Sequence, residues 1–194
     1  MSTILTLPKP SFNGSISLEQ TIAARRSWRD FRPDSLTLEQ IGQLAWAAQG
    51  QDTKSKYRTV PSAGATYPLE LFIVNENGLY HYLLGKHALE KLTDQDMRSA
   101  LASAAWGQEF IEAAPLTLVF AAEFNRTTRR YGKRGIRYVY MEAGHAAQNV
   151  HLQAEALGLG SVAVGAFDDL GVSRVLSLPS YLEPIYMVVV GYRR

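Results

Sequence analysis

The sequence predicts a single domain of the α+β class, and three observations carry that prediction. Short runs rich in β-branched and aromatic residues come as neighbours joined by a turn, as in LELFIV and LYHYLL on either side of Gly78. One stretch, Gly135 to Leu157, keeps apolar residues at helical spacing for longer than any other segment. No repeat, low-complexity tract or linker divides the 194 residues, a length that suits one hydrophobic core. The domain is therefore expected to span 1–194, with residues 1–16 as an N-terminal extension.

The elements follow in order. Ser17 with Gln20, and Thr37 with Gln40, have the spacing of capping boxes and open two helices. The first runs from Leu18 and delivers Arg25, Arg26 and Ser27 at or just beyond its end. The second has Ile41, Leu44, Ala45 and Ala48 on one stripe and stops near Gly50. A polar loop, QDTKSKYRTV, leads to PSAGATYP and then to a hairpin over 69–84. Helical segments are expected around Asp94–Ala105 and Gln108–Glu112, and LTLVFAAE from Leu116 reads as a buried strand. On the long helix, Ile136, Val139, Tyr140, Ala143, Ala147, Val150, Ala154 and Leu157 define one face, with Gly158 as C-cap. Its other face, Met141, Gly144, Gln148 and Leu152, is small or apolar as well, so the helix is expected to be covered on both sides, the second by another subunit. SVAVGAF and EPIYMVVVGY complete the strands, with Asp168 or Asp169 as N-cap of a following helix.

Composition narrows the function. The 20 basic and 18 acidic residues nearly balance, which gives no general attraction to nucleic acid or to an acidic membrane surface. Cysteine is absent, which excludes thiolate nucleophiles, iron–sulfur clusters and cysteine-ligated zinc. No apolar run has membrane-spanning length, and MSTILTLPKPSF lacks the layout of a signal peptide, so a cytoplasmic protein is expected. His81, His87, His145 and His151 show no metal spacing, and no metal is expected.

Four short stretches carry chemistry. RRSWRDF, Arg25 to Phe31, concentrates three guanidinium groups and a hydroxyl, either a solvated helix end or a pocket for an anion. In TVPSAGATYP, Pro61 is followed by Ser62, Ala63 and Gly64, whose small side chains let backbone groups approach a flat ligand. The same pattern fits a tight turn into a strand. VGAFDD ends a strand in Gly165 and Ala166, where an exposed N–H can meet a ligand atom. RRYGKRGIR holds five basic residues in nine, read as a solvated loop into the long helix, with RNA binding as the alternative.

Together these stretches, with LTLEQIGQLAWAAQG, RYGKRGIRYVYMEAGHAAQNVHLQAEALGLGSVAVGAFDD and PIYMVVVGY, resemble the flavin-dependent nitroreductase superfamily over about residues 20–192. The branch they resemble most contains the azoline oxidases of bacteriocin clusters. That resemblance implies a central, mostly antiparallel sheet flanked by helices, with the long helix at a homodimer interface and FMN shared between subunits. It implies NADH or NADPH as electron donor and a small-molecule acceptor such as a nitro compound or quinone. Alternatives are an azoline dehydrogenase acting on peptides with partner proteins, or a flavin- or nucleic-acid-binding module without turnover.

Residue by residue, the resemblance assigns the arginine–serine motif, Arg25, Arg26, Ser27 and Arg29, to FMN. Arg25 and Ser27 would take the phosphate and ribityl chain, and Arg29 the ring. Pro61, Ser62, Ala63 and Gly64 would line the flavin from the opposite subunit, Gly165 and Ala166 would face flavin N5, and Gln108 the ring edge. Arg193 would reach the phosphate. Ala65 and Gly165 replace an asparagine and a glutamate of better-known nitroreductases, a mark of the azoline-oxidase branch. Where that branch has a catalytic Lys-Tyr pair, this chain has Arg130-Tyr131. A guanidinium keeps its proton near neutral pH, which leaves Tyr131 as the candidate proton relay.

Overall fold

Hairpins build the sheet. In the computed structural model, which describes residues 3–52 and 54–194, β2 (Leu69–Asn75) folds back into β3 (Gly78–Leu83) through a turn that only glycine permits at residue 78. Gly78 has φ 131°, and a Cβ there would collide with the Thr93 carbonyl. β4 (Ala88–Thr93) pairs with β3, and β1 (Ile4–Thr6) with β4. On the other side of β2 lie β5 (Leu116–Ala122), β7 (Glu183–Gly191) and finally β6 (Gly160–Val164). The order is β1-β4-β3-β2-β5-β7-β6, and every pairing is antiparallel.

Both faces of this sheet are covered, which is why its central strands are apolar at most positions. Successive side chains of a strand point to opposite faces. Leu71 and Ile73 of β2 join Phe120 and Val188 under the helices α2 (Leu38–Gln49) and α6 (Arg134–Ala156). Phe72 and Val74 join Val119 and Val189 under α3 (Arg98–Ala104), α4 (Glu109–Ala113) and α7 (Asp169–Val175). Both expected capping boxes form. The Gln20 N–H donates to Ser17 Oγ at 3.2 Å in α1 (Leu18–Ala24), and the Gln40 N–H to Thr37 Oγ1 at 3.2 Å in α2. Asp168 caps α7 by accepting the Leu170 N–H at 3.1 Å.

The structure departs from the sequence expectations in four places. β1 and β4 extend the sheet beyond the expected strands, so part of the N-terminal extension belongs to it. The basic run is not simply a loop: its first residues finish a further helix, α5 (Phe124–Tyr131), before α6 begins at Arg134. The helix expected from Asp94 starts only at Arg98, because the Asp96 side chain holds the Arg98 N–H at 3.0 Å in a turn. Ile136 and Tyr140, expected on the core face of the long helix, are 42% and 53% exposed. There α6 lies against α5 rather than the sheet, with the Tyr140 ring edge-on to Phe124 at 5.5 Å.

Candidate functional site

The arginine strip begins where α1 ends. Arg26 turns back on that helix, its Nη1 donating to the carbonyls of Ala23 (3.0 Å) and Arg25 (2.7 Å), so its guanidinium closes the C-terminus. The chain then runs extended along the outer edge of β6. Ser27 bridges Ser161 in parallel, the Trp28 N–H donates to the Ser161 carbonyl at 3.0 Å, and Phe31 bridges Arg193. Among the described residues, neither Arg25 nor Arg29 has a carboxylate partner. Arg29 lies over the Phe110 ring at 5.8 Å, on α4.

Behind the strip is a buried polar layer that sequence reasoning missed. His151 of α6 shares a 2.7 Å hydrogen bond with the Ser161 hydroxyl through Nδ1. Burial, reinforced by the charge of Arg25, pushes its pKa down to about 4, so the imidazole is neutral at physiological pH. Arg193 pairs with the buried Glu155 carboxylate, donates to the Leu159 carbonyl at 2.8 Å and stacks on Trp28 at 5.0 Å. Among the described residues, the Trp28 indole N–H, Arg193 Nε and Glu155 Oε1 are buried with no hydrogen-bond partner. Arg193 therefore buttresses the strip from behind, its charge engaged by Glu155.

Gly165 and Ala166 are exposed where β6 ends. The Gln108 amide donates to the Ala166 carbonyl at 2.8 Å and to the Ala105 carbonyl at 2.9 Å, which ties α4 to that strand end. A Cβ on Gly165 would meet nothing closer than the Tyr186 ring at 3.6 Å, so the approach is open. Two residues before Gln108, Trp106 is 69% exposed in a left-handed conformation (φ 57°). The structure thus places Arg25, Ser27 and Arg29 on the strip that pairs with the start of β6 at Ser161, and Gln108, Gly165 and Ala166 at the other end of the same strand.

A second group forms at Pro61–Tyr67. Gly64, Ala65 and Tyr67 all have left-handed backbones, φ 59°, 52° and 48°, and two of them are not glycine. Such strain persists only where surrounding bonds impose it. The Tyr67 N–H donates to Ser62 Oγ (2.9 Å), Arg126 donates to the Tyr67 carbonyl (3.1 Å), and the Arg58 guanidinium stacks on its ring (4.7 Å). Arg126 is itself held by Glu70 (2.7 Å), which also binds His81 (3.0 Å). Burial works against the Glu70 charge, but the bonds from His81 and Arg126 prevail and its pKa is lowered. Arg130 donates to the Gly64 carbonyl at 3.2 Å, and a Cβ on Gly64 would sit 2.6 Å from the Tyr131 hydroxyl. Tyr131 therefore belongs with Pro61, Ser62, Ala63 and Gly64, apart from the arginine strip.

The two groups are anchored to different parts of one helix. Glu142 beneath Ser62 and His151 behind Ser161 are nine residues apart on α6, about 13 Å along its axis. Between and beside them Met141, Gly144 and Gln148 are exposed. On the same flank, Leu152 and Asn149 line a cavity of about 420 Å³ with Trp46 of α2 and Leu18 of α1. No helix of the described residues is long and apolar enough to cross a membrane, and none of their acidic and histidine side chains cluster as a metal site.

These features fit a bound FMN: guanidinium groups without carboxylate partners on a strip along β6, an open strand end at Gly165 and Ala166, and a small-residue loop held under strain. Residues 22–192 match the nitroreductase family. A nitroreductase-type protein of Methanocaldococcus jannaschii is 43% identical over 182 residues, covering 91% of each chain. A nitroreductase-type structure from Ralstonia eutropha superposes with a TM-score of 0.89 at 31% identity, over 98% of this chain and 90% of that one. The microcin B17-processing protein of Escherichia coli is 31% identical over 153 residues, 73% of this chain and 56% of its own length. An FMN reductase of Bacillus subtilis is 29% identical over 113 residues, 51% of this chain and 45% of its own. The chain belongs to the nitroreductase family.

Proposed function

We propose that the protein is an oxidoreductase that binds FMN between the subunits of a homodimer, accepts electrons from NADH or NADPH and reduces a small organic acceptor such as a nitro compound or quinone. The observation that carries this reading is the pair of guanidinium groups, Arg25 and Arg29, that lack a carboxylate partner among the described residues and lie on the strip paired with β6. A phosphate is held best by planar guanidinium donors and a hydroxyl, which Arg25 and Ser27 supply. Bound FMN supplies the hydride chemistry, while the protein orients and tunes it. Arg29 balances the charge that reduction places on the pyrimidine edge. Gln108 fixes the Ala166 carbonyl, so the N–H groups at the strand end keep a set direction. Tyr131, against Gly64, is placed to relay a proton, while Arg130 retains its charge.

The dimer is supported by the separation of the two residue groups along α6. A second copy running antiparallel would bring the Pro61–Gly64 loop of one chain to the arginine strip of the other. It would also cover Met141 and the apolar flank, larger than a solitary exposed side chain. A cytoplasmic location and the absence of nucleic-acid or membrane partners belong to the same reading.

A second reading, dehydrogenation of azoline rings in a peptide presented by partner proteins, is favoured by the similarity to the microcin-processing protein. The purified protein should be yellow, release FMN on denaturation and oxidise NADH or NADPH when given a nitro compound or quinone. A colourless protein that cannot be reconstituted overturns the flavin reading. Conversion of a thiazoline peptide to its thiazole without NAD(P)H turnover favours the second reading. FMN binding without any turnover points to a non-catalytic flavin module.

A further inference from the structure

Nothing in the fold calls for tryptophan at position 106. The side chain is 69% exposed, so burial stabilises it little. Its backbone is left-handed at φ 57°, a conformation that bulky residues rarely adopt. Glycine takes the same shape without strain, as Gly107 does beside it at φ 76°. The turn between α3 and α4 imposes that shape. The Trp106 N–H donates to the Ser103 carbonyl at 3.2 Å and the Gly107 N–H to the Ala102 carbonyl at 2.9 Å, which reverses the chain at the end of α3. Two further bonds, one on each side of Trp106, tie the turn to the segment that follows β6. The Asp168 N–H donates to the Ala104 carbonyl at 2.9 Å, and Gln108 Nε2 donates to the Ala166 carbonyl at 2.8 Å. A Cβ on Gly107 would meet nothing within 4 Å, so the space beside residue 106 is open.

We infer that Trp106 is a specificity-determining residue: its indole, held beside the open strand end, selects planar, electron-poor acceptor rings such as a quinone or a nitroarene. The inference deepens the flavin reading and rests on it. A strained backbone that glycine would relax, under a large side chain left in solvent, marks a residue retained for a ligand and not for packing. The bonds from Asp168 and Gln108 fix that residue relative to Gly165 and Ala166, where the acceptor approaches in the flavin reading. Arg29, proposed for the flavin ring, reaches the same segment by lying over Phe110 at 5.8 Å, four residues after Trp106. The chemistry of the indole then names the ligand. Its ring face is negative, and it attracts rings whose own faces have been depleted by carbonyl or nitro groups. An aliphatic acceptor offers no such face. Because the turn holds the backbone of Trp106 before any ligand arrives, little of its freedom is lost on binding.

The test is the equilibrium affinity of the oxidised, FMN-loaded protein for menadione, a planar quinone, read from the change in flavin absorbance. Oxidised flavin has no electrons to give an oxidised quinone, so binding is read without reaction. Trp106→Gly should bind menadione about tenfold more weakly than wild type, the scale of one lost aromatic stack. Trp106→Phe, which keeps a ring at the same place, should recover most of that loss. Urea unfolding separates this role from a structural one. The midpoint of Trp106→Gly should not fall below that of wild type, because relief of the left-handed strain offsets the added freedom of glycine in the unfolded chain. Unchanged menadione affinity in Trp106→Gly overturns the inference. A lowered urea midpoint, or a halved mass in sedimentation, overturns it as well by making Trp106 a packing or subunit-contact residue. A folded wild type that binds no FMN overturns the flavin reading itself, and this inference with it.

Discussion

Arg25 and Arg29 lie four residues apart on one extended strip, but their surroundings differ: Arg25 acts on the buried His151, and Arg29 on the face of Phe110. That difference separates binding from tuning. Arg25→Ala should lose FMN, measured as flavin occupancy after gel filtration. Arg29→Gln should keep FMN but lower its reduction potential, because a charge-assisted hydrogen bond to the reduced ring is worth about 1–3 kcal/mol, or about 20–65 mV for a two-electron couple. An unchanged potential in Arg29→Gln would remove Arg29 from the ring edge. The arginines were legible in the sequence because three guanidinium groups within five residues stand out. Glu142 and His151 were not, since a polar residue within a helix reads as exposed. Their only sequence signal was register, for Glu142 shares the buried stripe of Val139, Ala143 and Ala146, and His151 that of Val150 and Ala154.

Among the elements, β6 and the strip beside it depend on a glycine. A Cβ on Gly160 would lie 2.9 Å from Trp28 Cβ and 3.0 Å from Arg193 Cγ, so any larger side chain must push the strip outward. Gly160→Val should cost about 1–3 kcal/mol in urea unfolding, the usual penalty of overpacking, and weaken FMN binding in the same protein. Wild-type flavin affinity in that variant would separate the strip from the cofactor site. The long helix, both capping boxes and the central strands were legible because periodicity and caps are local. β1 is three residues long and has meaning only through β4, with which it pairs. α5 (FNRTTRRY) carries little apolar surface, and its one buried residue, Thr127, is held by a 2.8 Å bond to Thr66, 61 residues earlier.

For the molecule as a whole, the exposed flank of α6 is the face that the proposed dimer would cover. Sedimentation should give twice the 21.5 kDa chain mass. Met141→Arg, which puts a charge into the middle of that flank, should yield monomers that no longer retain FMN. A monodisperse monomer saturated with FMN would refute the shared site. The opposite border of the sheet leads to a different consequence. β6 is the last strand of seven, and a last strand offers an unpaired row of amide and carbonyl groups to any other chain. Here Ser27 and Trp28 occupy part of that row through their pairing with Ser161. The segment that carries the candidate anion-binding arginines therefore also guards against edge-to-edge aggregation, so substitutions that loosen it endanger solubility as well as cofactor retention.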